Sequence, residues 1–129
     1  MGTTPLTVYK ASAGSGKTFT LAVRFISQLI ANPDCYEEIL AVTFTNKATE
    51  EMKTRIMGQL YGIWKGHDDS DDYLEAVIHN TGKTEKEVRR NAGIALKLLI
   101  HKYNYFRVQT IDSFFQNVLR NLARELELS

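Results

Sequence analysis

The sequence predicts an α/β fold, a parallel sheet with flanking helices, on three observations. Short β-branched or apolar runs stand at 6–10, 38–44 and 106–110, each gives way to a segment with apolar residues at helical spacing, and each ends in a small polar cluster. The clusters are Ser15 to Thr18, Thr43 to Asn46 and Thr110 to Ser113. Strand, loop and helix repeated in this order is the rhythm of right-handed crossovers. In a parallel sheet all three clusters lie along its carboxyl edge, where ligands of such folds bind. With 129 residues, 43% of them hydrophobic, the chain makes one modest domain with a real core.

Residues 6–18, Leu-Thr-Val-Tyr-Lys-Ala-Ser-Ala-Gly-Ser-Gly-Lys-Thr, carry the first strand into a loop that closes on Gly16, Lys17 and Thr18. A first small residue, four more and Gly-Lys-Thr form a phosphate-binding pattern, with Ala11 where glycine is usually written. Gly14 and Gly16 keep the freedom that the tight part of the loop requires. The backbone amides from Ala13 through Gly14, Ser15 and Gly16 form the cradle, and the following helix adds the positive end of its dipole. Lys17 neutralises the β- and γ-phosphates and the Thr18 hydroxyl ligates Mg²⁺, which makes ATP and Mg²⁺ the expected cofactors and Lys17 and Thr18 the catalytic candidates.

The helix from Thr18 to Ala31 carries Leu21, Phe25 and Leu29 at fourfold spacing beside Ile26 and Ile30, and Asn32-Pro33-Asp34 stops it. Cys35, the only cysteine, excludes an internal disulfide and reads as a small residue in a turn. Residues 38–44 read as a largely buried strand. Thr45 or Asn46 then caps a helix over 47–64 with Met52, Ile56, Leu60 and Ile63 on one face.

The segment 66–72 is acidic and fails as a calcium loop, since Tyr73 and His79 stand where glycine and glutamate are needed, so it reads as a linker and helix cap. A short helix over 73–79 and a longer one over 85–101, with Val88, Ala92, Ala95, Leu96 and Leu99 in phase, follow it. Gly82-Lys83-Thr84 imitates the phosphate loop but lacks the upstream strand, and Thr84 with Glu87 fits a capping box instead. His67, His79 and His101 show no metal-ligand spacing. After the third strand, Asp112 is the expected N-cap of a last helix whose Phe115, Val118, Leu119, Leu122 and Leu126 are expected to face inward.

A net charge of +1 argues neither for nor against nucleic acid, so any DNA contact depends on local placement. No stretch reads as a signal peptide or a membrane span, and the expected location is the cytoplasm, with no membrane partner.

The motifs together carry a resemblance. Ala-Ser-Ala-Gly-Ser-Gly-Lys-Thr at 11–18, Ile-Leu-Ala-Val-Thr-Phe-Thr-Asn-Lys-Ala-Thr-Glu-Glu-Met-Lys-Thr-Arg-Ile at 39–56 and Thr-Ile-Asp-Ser-Phe-Phe-Gln at 110–116 resemble motifs I, Ia and Ib of the UvrD/Rep-type superfamily 1 DNA helicases. The wording is most similar to the RecB/AddA helicase-nuclease subunits of DNA double-strand-break repair and recombination, where Ala at position 11 is usual. The resemblance implies a RecA-like P-loop NTPase fold and an ATP-dependent DNA helicase, an ATP hydrolase when intact. It implies DNA contacts by Phe44, Thr45 and Asn46 of motif Ia, with an aromatic ring as a sequence-tolerant stacking surface. It implies further contacts by Thr110 and Ser113 of motif Ib. Asp112 stands where many members carry His, and because a carboxylate repels phosphates it is assigned to capping.

The implied partners are single-stranded DNA, the remainder of the helicase polypeptide and a second helicase-nuclease subunit. No apolar run ending in Asp-Glu occurs in the chain, although a working motor needs that acidic motif and arginines from a second domain. The expectation is therefore that residues 1–129 are the N-terminal part of the first RecA-like motor domain, incomplete at the C-terminus, with a helical insertion at about 66–102. The isolated chain is expected to bind nucleotide weakly and to turn over negligibly. The alternatives are a nucleotide-binding remnant or partner-binding module without hydrolysis, and a P-loop phosphotransferase.

Overall fold

A computed structural model describes residues 7–10, 15–34, 39–103 and 106–126. Three parallel strands, β1 (Thr7–Lys10), β2 (Ile39–Thr43) and β3 (Val108–Thr110), form a sheet in the order β1-β2-β3. Thr7 pairs with Ile39 and Lys10 with Val42 on one side of β2; Ala41 pairs with Val108 and Thr43 with Thr110 on the other. All five residues of β2 are buried, which is why the central strand reads as an unbroken apolar run with no polar alternation. Helices dominate the rest: α1 (Ser15–Ala31), α2 (Asn46–Lys65), α3 (Asp71–Thr81), α4 (Glu85–His101) and α5 (Ile111–Glu125). The described fold is thus mostly helical around a small parallel sheet.

One face of the sheet supplies Ile39, Ala41 and Val108 to a core that α1, α2, α3 and α4 complete. Phe25, Ile26, Leu29 and Ile30 of α1 are fully buried there, as are Ile56, Leu60 and Ile63 of α2 and Leu99 of α4. These are the positions that the helical spacing picks out. Phe106, just before β3, closes the core against Phe25 with ring centroids 5.7 Å apart.

Side-chain hydrogen bonds fasten α3 and α4 to the strand-linked helices. Asn80 donates to the Ser27 hydroxyl at 3.2 Å, and Asn91 donates to the Ile30 carbonyl at 2.8 Å, which satisfies an acceptor that the end of α1 would otherwise leave orphaned. α2 ends on Gly66 in the left-handed region (φ 76°), where a side chain would be strained. A 3₁₀ turn at Asp68–Ser70 follows, with Ser70 buried beside Gly62, and α3 starts two residues earlier than its apolar spacing predicts. Thr84 and Glu87 form the capping box: the Glu87 amide donates to Thr84 Oγ1 at 3.2 Å and the Thr84 amide donates to Glu87 Oε1 at 3.1 Å. The Thr84 amide and the Thr84 hydroxyl, which donates to Oε1 at 3.0 Å, hold the pKa of the Glu87 carboxylate below the ordinary glutamate value.

The last helix departs from expectation twice. Phe115, Leu119 and Leu126 are 57%, 58% and 61% exposed, Val118 and Leu122 are exposed too, and α5 has no buried residue. Amphipathic spacing tells which residues share a face; here no described element covers that face. The N-cap is also Thr110 and not Asp112. β3 passes into α5 without a spacer, so the last extended residue (φ −75°, ψ 158°) becomes the cap, and Asp112 lies inside the first turn, where its charge still favours the helix dipole. Among the described residues, no helix is long and apolar enough to cross a membrane.

Candidate functional site

Strand ends and helix starts meet at the carboxyl edge of the sheet. The pairings Lys10–Val42 and Thr43–Thr110 bring the three strand ends level within about one residue. At the usual strand spacing the outer two then stand about 10 Å apart. α2 begins at Asn46 and α5 at Ile111, immediately beyond β2 and β3. Each presents leading amides that no carbonyl of its own helix can accept, and the positive end of its dipole. Such an edge favours anionic ligands.

At the end of β2 the four residues of the polar cluster do four different things. Thr43 is buried (1% exposed), and its hydroxyl lies 2.5 Å from that of Thr49 and within reach of the Thr45 carbonyl at 3.2 Å. Thr49 also donates to the Thr45 carbonyl, at 3.1 Å. Phe44, the next residue, is 60% exposed, its ring outside the core. Thr45 is the N-cap, its hydroxyl accepting from the Ala48 amide at 3.0 Å, and Asn46 is exposed at the first helical position. Sequence reasoning leaves the cap open between Thr45 and Asn46; the backbone settles it on the extended residue, Thr45.

The end of β3 repeats the device. Thr110 is buried (8% exposed); its Oγ1 accepts from the Ser113 amide at 3.1 Å and lies 3.0 Å from the exposed Ser113 hydroxyl. The buried pair Thr43–Thr49 escapes a reading of the sequence, because a threonine four residues into a helix looks like any other until the strand beside it is known.

Of the phosphate-loop residues, Ala13 and Gly14 lie outside the described residues, and Ser15 and Gly16 open α1. Lys17 is exposed in the first turn of α1, while Thr18 is half-buried and already has a partner within the chain. The sheet topology sends α1 off the same edge as Phe44 and Thr110. An open groove of about 590 Å³ lies elsewhere, between α1 and α3, with Phe19, Val23 and Asn80 in its walls. Its polar residues Thr20, Arg24 and Gln28 are already engaged in the fold.

Comparison with known proteins agrees with the motifs. RecB of the RecBCD enzyme from Mycolicibacterium smegmatis is 30% identical over 120 residues, which is 91% of this chain and 10% of that protein. An ATP-dependent helicase/nuclease subunit from Bacillus mycoides is 33% identical over 107 residues, 81% of this chain and 7% of that protein. The corresponding protein from Lactobacillus helveticus is 52% identical over 50 residues, 39% of this chain and 4% of that protein. The chain spans about a tenth of the length of the curated relatives it matches. No solved structure matches it. The family model for the UvrD/REP helicase N-terminal domain matches residues 2–129, and the chain belongs to that family.

Proposed function

We propose that this chain is the nucleotide-binding, single-stranded-DNA-contacting front of an ATP-dependent DNA helicase of the helicase-nuclease type, acting in DNA repair and recombination in the cytoplasm. The observation that carries the reading is the meeting of three motif-bearing strand ends on one sheet edge. In this reading the fold is the first part of a RecA-like P-loop motor domain, with α3 and α4 as its helical insertion. Its partners are the remainder of the helicase polypeptide and a second helicase-nuclease subunit.

ATP phosphates rest on the amides of Ala13, Gly14, Ser15 and Gly16, where the N-terminus of α1 adds a favourable dipole. Lys17 fits its role: it is exposed in the first helical turn, where its ammonium can reach an anion. Thr18 holds Mg²⁺ through its hydroxyl, and the ion neutralises charge between the β- and γ-phosphates. DNA runs along the edge past Phe44, Thr45, Asn46, Thr110 and Ser113. Phe44 offers a stacking face; the Thr45 and Thr110 hydroxyls, spent on capping, fix the helix amides that meet the backbone.

The test is a titration with a fluorescent ATP analogue in the presence of Mg²⁺. Saturable binding that Lys17→Ala abolishes is the expected result, with no measurable hydrolysis by the 129-residue chain. Unchanged affinity in the variant refutes the phosphate role of Lys17.

A further inference from the structure

The seam between α2 and α4 is a separate surface. α2 starts at the sheet's carboxyl edge and runs away from it, which places Tyr61 roughly 25 Å from Phe44 at about 1.5 Å per residue. Residues 52–67 and 88–103, which form most of these two helices, hold seven of the chain's 16 lysines and arginines and none of its 15 carboxylates. A net charge of +1 therefore conceals a strongly one-sided distribution.

The helices lie antiparallel, Arg89 donating to the Ile63 carbonyl at 2.7 Å near one end and the Lys53 ammonium lying 5.0 Å from the Tyr103 ring centroid near the other. Arg55 is committed to the Tyr73 hydroxyl (3.0 Å), and Arg89 also to Glu85 (3.1 Å). Lys65, Arg90 and Lys97 are exposed, and among the described residues none of them lies within 4 Å of a carboxylate. Two of them rest on a ring instead: Lys65 and Lys97 lie 3.9 and 5.0 Å from the Trp64 centroid. Tyr61, 46% exposed, stands edge-on to Trp64 (6.2 Å) and to the exposed His67 (5.5 Å). The nearest carboxylates in sequence are Asp68 and Asp69, in the turn after His67, and Glu87, which is held in the Thr84 capping box and feels the charge of Arg90.

An exposed ring and a partly exposed indole beside cations with no carboxylate within 4 Å are the means by which proteins hold single-stranded nucleic acid without reading its sequence. We propose that the α2–α4 seam, through Tyr61, Trp64, Lys65 and Lys97, is a second contact surface for single-stranded DNA. Lys65, Lys97 and Arg90 meet phosphates, and Tyr61 with the accessible part of Trp64 meets bases. The cations alone would serve a duplex equally well; the rings favour a single strand. The surface shares its ligand with the proposed sheet-edge site but stands on other residues, so either can fail alone.

Trp64 is the only tryptophan, and its emission reports on this surface and no other. The 129-residue chain is titrated with oligo(dT) at low salt, following Trp64 fluorescence and the anisotropy of the labelled oligonucleotide together. Saturable quenching that survives Phe44→Ala is expected. Tyr61→Ala weakens binding by about 5- to 150-fold, the usual effect of removing one stacked ring. The double variant Lys65→Gln/Lys97→Gln lowers the slope of log affinity against log salt by about 1.4. Absence of binding, binding with unchanged Trp64 emission, or equal affinity for a duplex of the same length that Tyr61→Ala leaves alone overturns the proposal.

Discussion

Gly93→Ala tests the packing of α2 on α4, because helix propensity and steric fit oppose each other there. A Cβ built on Gly93 comes within 2.7 Å of Trp64 Nε1 and 2.8 Å of Cδ1 and Cε2, against an ordinary carbon contact of about 3.5–4.0 Å. Three ring atoms at once cannot be relieved by a bond rotation at the tip of a side chain. The indole has to swing outward or the helices have to part, and overpacking of this kind costs about 1–3 kcal/mol. Replacing a mid-helix glycine by alanine returns about 1 kcal/mol. The net expectation is a loss of about 0–2 kcal/mol. Gly58→Ala is the matched control: Gly58 is also inside a helix, and a Cβ there meets nothing within 4 Å, so it should stabilise by about 1 kcal/mol. Urea unfolding followed by Trp64 emission reads both. With m of about 1–3 kcal/mol per molar, the midpoints of the two variants should separate by about 0.3–3 M with m unchanged. If Gly93→Ala stabilises as much as Gly58→Ala, the indole does not lie against Gly93 and the seam has been placed wrongly.

Three further outcomes are expected. Thr45→Ala should destabilise by about 1 kcal/mol in the same urea assay, since it orphans the Ala48 amide, whereas Thr45→Gly should cost only a few tenths. Phe44→Ala should leave the unfolding midpoint unchanged, because the ring is exposed, while weakening oligo(dT) binding measured by anisotropy; a large stability loss would show that the ring is core. The pH dependence of the Thr84–Glu87 box follows from the lowered Glu87 pKa. A folded-state value below the unfolded one means that its contribution is present at neutral pH and is lost as pH falls through the folded value, below the ordinary glutamate pKa of about 4.3. The midpoint difference between the unmodified chain and Glu87→Gln should therefore shrink from about pH 6 to about pH 3.

Local signals were legible wherever the cause was itself local. Thr84 and Glu87 meet within one helical turn, so the capping box could be read directly, and it disposed of Gly82-Lys83-Thr84 as a second phosphate loop. The largely apolar run at 38–44 reads as a buried strand, and the structure bears that out over Ile39–Thr43. Asp112 failed as a cap because the choice depends on where β3 stops, which its pairing with β2 determines and its own composition does not. The stripe on α5 failed because spacing defines a face and says nothing of what covers it. The cationic seam was visible in principle, as two long stretches without a carboxylate, but only their antiparallel packing makes one surface of residues thirty positions apart.

The arrangement of Thr43-Phe44-Thr45-Asn46 shows how local constraints hold an aromatic ring at a strand end. Thr43 is the last strand residue and points into the core, where its hydroxyl must be satisfied, and Thr49, one helical turn past the cap, meets it at 2.5 Å. Thr45 is extended, and its hydroxyl caps α2 within two residues of the strand's end. With both neighbours anchored, Phe44 is the one side chain between them that the core does not take, and it is held outward at 60% exposure. Burying so large a ring elsewhere would stabilise the fold by on the order of 2–3 kcal/mol. Its exposure is therefore a cost imposed by the two threonines, and the same pair of structural constraints that makes the turn rigid presents an aromatic face at the edge where three strands end.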